Sequence, residues 1–330
     1  MQTQLKTSGM ERPFPALTAA QRWHFEVHGY VVIENIFDQD EVGLMLEALQ
    51  KLKRNFYARE DLWSKEPIRN CTMYHTDGQL GNHHHFNHLL EADPIFLEYA
   101  AHPRIVGMAQ ELVGNSVRVS ETQAAINSRA PGDDYEGPGR YLWHRHRPEI
   151  VNYTFNGLYH CHFVKAITNL TDLGVDDGGT CVIAGSHKAT CREEGIVQAA
   201  REDPSLIHQV VAPAGSTLLF CEPLLHSTGD IRNDSERTII ITGYIPHNGR
   251  YQGDFLPGFE EQVPEALHKL VFGSYASAIL HRRTLEMAVG TADPGFYTDG
   301  WSLNSADPQT MDVGEMSWQG AADIVVSKSV

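Results

Sequence analysis

The sequence predicts a mainly β fold with flanking helices, and three observations carry that expectation. Between residue 116 and about 246 the chain falls into short β-branched or aromatic runs, at 117–119, 163–167, 181–183, 208–211, 216–220 and 238–244, divided by Gly, Pro, Asn and Asp. Runs of this length and spacing suit an antiparallel sandwich or a closed double sheet. Helical periodicity is confined to the two flanks of that stretch. Finally, 330 residues, 42% of them hydrophobic, can bury one large core with helical additions. The expected organisation is a single domain over residues 1–290, then a tail over 291–330 that is loosely ordered or docked on the core through Trp301 and Trp318.

Taken in chain order, Thr18 can cap a helix over 19–27 that Gly29 ends, and Tyr30-Val31-Val32-Ile33 reads as a short buried strand. A second helix is expected from about Glu41, with Val42, Leu44, Met45, Leu46, Leu49 and Leu52 on a helical period. A third lies between Pro94 and Leu112 and breaks near Pro103. After the β-rich stretch, helical patterns resume at 263–270 and 276–287.

Charge narrows the function. Lys and Arg number 26 against 42 Asp and Glu, a formal charge of −16 that repels phosphate backbones and anionic lipid heads. Nucleic-acid and membrane-surface partners are therefore excluded, and a small-molecule substrate is expected. No apolar run is long enough to span a bilayer, and residues 1–17 lack a secretory pattern, so the expected location is cytoplasmic. The five cysteines, Cys71, Cys161, Cys181, Cys191 and Cys221, form no C-x-x-C pair and read as core thiols. The 18 histidines cluster, which matters because imidazole is the commonest transition-metal ligand.

Trp143-His144-Arg145-His146 would project two histidines from one side of an extended segment. Far along the chain, Leu224-Leu225-His226 follows a strand-like run and can add a third imidazole at the same barrel mouth. Three ligands on one face leave the opposite positions of a metal open, the arrangement of non-haem iron oxygenases. Arg237, past a polar turn and at the start of the run 238–242, can clamp the distal carboxylate of a keto-diacid through two parallel hydrogen bonds.

His144, His226 and Arg237 together resemble the phytanoyl-CoA dioxygenase family of iron(II) and 2-oxoglutarate enzymes. The opening Gly29-Tyr30-Val31-Val32-Ile33-Glu34-Asn35 is similar to that family's first strand. Asn169-Leu170-Thr171-Asp172, through Asp177-Gly178-Gly179, to Ala184-Gly185-Ser186-His187-Lys188 is similar to its strand-turn-strand segment. The similarity spans about 17–247. It implies a double-stranded β-helix (jelly roll, cupin-like) and Fe(II), 2-oxoglutarate and dioxygen as cofactor and co-substrates. It also implies His144 and His226 as iron ligands, Arg237 on the C5 carboxylate, and Thr228 as an assisting hydroxyl. Ala184 stands where the family usually has proline, a change confined to a turn. His146 stands where the family has a carboxylate, so H-x-D becomes H-x-H and the expected metal set is His144, His146 and His226. Glu149 could supply a carboxylate if the strand bends.

The expected reaction is attack on a C–H bond of a small organic substrate, by hydroxylation, desaturation or rearrangement. Two rivals remain open: a halogenase, with halide where the carboxylate is missing, and a non-catalytic relative acting as a binding or partner subunit. The other polar clusters read as structural. His83-His84-His85 with His88 is expected as a solvated loop in preference to a metal sink or a substrate-contact loop, although the region from Cys71 to His88 is expected to line the pocket. His160 and His162 are expected as core or pocket residues, and His187 as a brace of the turn after Gly185. Asp172, Asp176 and Asp177 read as turn residues, and Ser186 has no base beside it.

Overall fold

The computed structural model describes residues 16–59, 67–76, 83–114, 116–129, 141–145, 152–155, 158–189, 192–249 and 251–273. The expected domain boundary near 290, the 291–330 tail and the helix at 276–287 lie outside the described residues, as do His146, Glu149 and Cys191.

Helix α1 (Ala19–His28) begins at Thr18, whose hydroxyl accepts from the Gln21 amide while Gln21 returns a bond to the Thr18 amide. It ends at Gly29 with φ +85, where a Cβ would also come within 2.5 Å of the His187 ring. Strand β1 (Tyr30–Ile33) follows. Helix α2 (Gln39–Tyr57) starts two residues earlier than Glu41, because Asp38 and Glu41 form a second capping box. Its buried stripe is Val42, Met45, Leu49, Leu52 and Phe56, and Leu44, expected on that stripe, points outward.

Strands β2 (Thr72–Thr76) and β3 (His83–Asn87) come next. This corrects the expectation of a solvated histidine loop: three consecutive histidines sit in a sheet. Helices α3 (Pro94–Ala100) and α4 (Pro103–Val113) each carry proline in the first turn, which is why the chain breaks between them. Then follow β4 (Val117–Asn127), β5 (Asn152–Phe155), β6 (Leu158–Cys161), β7 (Val164–Asn169), β8 (Cys181–Ile183), α5 (Glu193–Glu202), β9 (Ile207–Gln209), β10 (Thr217–Cys221), β11 (His226–Ser227) and β12 (Arg237–Pro246). At 263–270 the expected helix is only partly formed: a 3-10 turn at Glu265–Leu267 precedes a short α6 (His268–Phe272), with Pro264 just ahead of both.

The main sheet has the order β1-β10-β7-β12-β4-β3-β2, and every neighbour pair is antiparallel. A second sheet, β11-β8-β9, is extended past β11 by an isolated antiparallel bridge between His144 and His226. Helices α2, α3 and α4 cover the outer face of the main sheet, where Phe56, Tyr99, Leu112 and Tyr244 join one apolar core. Tyr244 donates to the Ala100 carbonyl at 2.8 Å, tying β12 to α3. The inner face of the main sheet looks toward the second sheet across a cavity, the geometry of a jelly roll. Among the described residues, no helix is long and apolar enough to cross a membrane.

Candidate active site

A cavity of about 460 Å³ opens between the two sheets, with His144, His226, Thr228 and Arg237 in its lining. Four of the five residues singled out from the sequence therefore meet around one space, and the fifth, His146, lies outside the described residues.

The two histidines are placed by backbone. His144 and His226 exchange amide-to-carbonyl bonds of 3.0 Å each way, so two remote segments are locked side by side. Each imidazole then donates from Nδ1 to the carbonyl two residues before it, His144 to Leu142 and His226 to Leu224, both at 2.8 Å. That pairing fixes one tautomer in both rings and leaves the Nε2 atoms as lone-pair donors, with ring centroids 4.2 Å apart. Neighbours hold β11 in place: the Leu225 amide donates to Ser186 Oγ at 2.9 Å and the Ile183 amide to the Leu225 carbonyl at 2.9 Å. Ser186 thus orients the segment that carries His226.

Arg237 opens β12 and is 2% exposed. Its Nη2 donates to Thr180 Oγ1 at 3.1 Å, a bond that crosses from one sheet to the other, while its Nε has no hydrogen-bond partner among the described residues. Burial lowers its pKa to about 10, still far above neutrality, so a cation sits at the cavity wall. Asn127 is its cross-strand partner on β4, 4% exposed, with neither side-chain amide atom hydrogen-bonded among the described residues. Both residues line the cavity. Buried polar atoms left without partners are costly, so a guanidinium and a carboxamide side by side mark a place for a hydrogen-bonding anion.

The site has further members: several come from the stretch 71–88, expected to line the pocket although its histidines read as a solvated loop, and Lys165 is not singled out by the sequence. His83 and His85 line the cavity from β3, with Tyr74 of β2 beside them. Lys165 of β7 also lines it, its Nζ 2.6 Å from Glu222 Oε1 and 3.1 Å from Glu121 Oε1. Burial opposes the charge on Lys165, but Glu222 and Glu121 outweigh it and raise its pKa. The signal for His83 and His85 was a period of two, the same one that selected His144 and His146.

The remaining clusters are structural. His160 is buried beside Gly114, where a Cβ would meet its Nδ1 at 2.6 Å, and His162 is exposed, so neither lines the cavity. His187 packs against Gly29 and Tyr159, as a brace should. Asp177 accepts from the Gly174 amide at 2.7 Å and Asp172 from the Ala214 amide at 2.8 Å, both turn anchors. The four described cysteines are free and buried. Among the described residues no group of three or more His, Cys, Asp or Glu is gathered for a metal, leaving the His144/His226 pair with any third ligand to come from beyond them.

The sequence profile of the phytanoyl-CoA dioxygenase (PhyH) family matches residues 25–239. The ectoine dioxygenase of Stutzerimonas stutzeri (strain A1501) is 24% identical over 235 residues, spanning 63% of this chain and 70% of that protein. A probable phytanoyl-CoA dioxygenase of Caenorhabditis elegans is 24% identical over 245 residues, 69% of this chain and 75% of that one. Among solved structures, HygX from Streptomyces hygroscopicus with nickel and 2-oxoglutarate bound aligns with a TM-score of 0.54 at 20% identity, over 70% of this chain and 87% of that one. EctD from S. alaskensis with bound Fe aligns with a TM-score of 0.54 at 19% identity, over 76% and 85%. At these identities the structural likeness bears on the fold, which is the cupin-like double-stranded β-helix.

Proposed function

Because this chain belongs to the phytanoyl-CoA dioxygenase family, we propose that its cavity oxidises a C–H bond of a small organic substrate, by hydroxylation, desaturation or rearrangement. Membership makes it a non-haem iron, 2-oxoglutarate-dependent dioxygenase, with dioxygen as the second co-substrate. In our reading His144 and His226 hold the iron, His146 is the third ligand, Arg237 takes the C5 carboxylate of 2-oxoglutarate, and Thr228 adds a hydroxyl.

One observation carries the assignment: two imidazoles from remote segments, bridged through their backbones and held in one tautomer by the same Nδ1-to-carbonyl bond, face a cavity that also contains a buried arginine with an unpaired Nε. The donor set fits the group. Neutral imidazole suits ferrous iron, and an orphaned guanidinium nitrogen beside an orphaned carboxamide suits a carboxylate. When bound, the iron and 2-oxoglutarate supply the oxidising power, the keto acid leaving as succinate and carbon dioxide. The chain's own part is placement. The Leu142 and Leu224 carbonyls keep the proton of each neutral ring on Nδ1, Thr180 steers the Arg237 fork, and the apolar Phe220, Ile239 and Ile241 keep the cavity poor in water.

Calorimetric titration of the Ni(II)-loaded protein with 2-oxoglutarate tests this. Arg237→Ala should weaken binding by about two orders of magnitude, the worth of two charge-assisted hydrogen bonds, and abolish Fe(II)-dependent succinate release. Wild-type protein that binds no 2-oxoglutarate and releases no succinate would overturn the reading.

A further inference from the structure

We propose that the edge hairpin of β2 and β3 is the substrate-recognition wall of this cavity, and that it accepts a compact, uncharged, hydroxyl-bearing ring compound. The inference rests on the functional reading above, since 2-oxoglutarate must share the same space.

His83 and His85 face inward from β3, and Tyr74 is the cross-strand partner of His85 on β2. The Tyr74 and His85 rings are 4.9 Å apart, and those of His83 and His85 are 6.4 Å apart and within 5° of parallel. Together they make a ladder of rings from the half-exposed Tyr74 toward the co-substrate end, because His83, Asn127 and Arg237 occupy one row across β3, β4 and β12.

The ladder is held from behind. His84, on the opposite face, donates from Nδ1 to the Ile126 carbonyl at 3.1 Å and accepts at Nε2 from the Tyr57 hydroxyl at 2.6 Å, while Phe86 packs on Phe56. A slip of one residue would bury His83 and His85 and break those contacts, so the inward set is fixed. A histidine strand that needed only to be solvated would not require such a lock.

The wall carries no positive charge of its own. Burial and the nearby Arg237 lower the His83 pKa, and burial, then His83, takes His85 down to about 4. Lys165, the cation beside His85, is engaged by Glu121 and Glu222. A phosphate or carboxylate therefore gains nothing from these rings. A hydroxyl finds a donor and an acceptor on the neutral His83 ring and one further nitrogen on His85, whose other nitrogen is engaged by the Asn87 side chain, and a ring finds faces to stack on. Beside them on the same sheet face, Ile239 and Ile241 of β12 and Ile167 of β7 continue the wall as an apolar floor for the edge of the ring. Once 2-oxoglutarate is in place, a cavity of about 460 Å³ leaves room for a compact body rather than a coenzyme A ester.

Saturation-transfer NMR on the full chain loaded with Ni(II) and 2-oxoglutarate tests the wall with three probes: 4-nitrophenyl β-glucoside, 2,6-naphthalenediol and octanoyl-coenzyme A. At least one neutral ring should bind, octanoyl-coenzyme A should not displace it, and the sugar and arene probes tell which ring type is preferred. His85→Val and His83→Val should each weaken binding about tenfold, the loss of a ring contact and a hydrogen bond. His85→Gln, which keeps a polar end without the ring, should lose less. The proposal is overturned if neither neutral probe binds, if octanoyl-coenzyme A displaces the ring, or if His85→Val and His85→Gln both bind it like wild type. A 2-oxoglutarate titration of the same samples keeps the two readings apart: its failure removes the oxygenase assignment, whereas intact 2-oxoglutarate binding without ring binding removes the wall alone.

Discussion

Replacing Lys165 with methionine should destabilise the fold by about 3–5 kcal/mol, the typical cost of breaking a buried ion pair on one side. The ammonium lies 2.6 Å from Glu222 and 3.1 Å from Glu121, and the side chains of these glutamates are 0% and 5% exposed. At an effective dielectric of about 20 each contact is worth roughly 5–6 kcal/mol of gross attraction, most of it already spent on desolvation. Methionine fills the volume but leaves two carboxylates facing each other in a dry site. One of them should then hold a proton, which caps the cost. The sign with pH follows: a carboxyl whose folded pKa rises above its unfolded value contributes stability at low pH and loses it as pH rises. The deficit of the variant should therefore be larger at pH 8 than at pH 5. Differential scanning fluorimetry should show a Tm lower by about 6–10 °C at neutral pH, at roughly 2 °C per kcal/mol for a chain of this size. Adding Glu121→Gln and Glu222→Gln should return most of the loss. A Lys165→Met variant within about 1 kcal/mol of wild type, or one whose deficit does not change with pH, would refute the claim that these charges depend on one another.

Two other outcomes follow from the site. His226→Ala should weaken Fe(II) or Ni(II) affinity by more than about 100-fold, since even residues that merely orient a ligand cost 10- to 100-fold; metal titration by calorimetry checks it, and an unchanged affinity would remove His226 from the metal site. His85 has a folded pKa of about 4, below its ordinary 6.5, so the unfolded chain takes up the proton first and stability falls as pH drops from 6.5 toward 4. Urea denaturation should show wild type losing up to about 3 kcal/mol across that window and His85→Gln losing correspondingly less.

The sequence made the scaffold readable where local chemistry and global fold agree. Thr18, Pro94 and Pro103 each start a helix for reasons visible within four residues, and the run 181–183 is a strand from end to end. The juxtaposition of His144 and His226 was readable from their spacing, and their metal role is the proposal made above. Long-range pairing was not readable. Lys165, Glu121 and Glu222 come from β7, β4 and the turn after β10, and nothing in their local sequences says that one ammonium serves two carboxylates. The histidines of β3 were misread for a different reason. Three adjacent polar rings look solvated, and only a neighbour such as Tyr57, with a hydroxyl placed for His84, makes it favourable to turn the middle one into the core.

The charge layout bears on the most unusual residue of the sequence, His146 in place of a carboxylate. An iron(II) ion held by imidazoles alone carries one more unit of positive charge than one held by two imidazoles and a carboxylate. Around this cavity Arg237 adds a further positive charge, and Lys165 with Glu121 and Glu222 formally adds one net negative charge. That cluster is close: Phe220 is the cross-strand partner of Lys165, and its ring lies 4.6 Å from that of His226. Buried charge acts through low-dielectric packing with little screening. By this count the extra glutamate balances Arg237, so the cavity wall carries no net charge of its own. With His146 as the third ligand proposed above, this net negative cluster would lie one side-chain layer from the imidazoles that hold the iron.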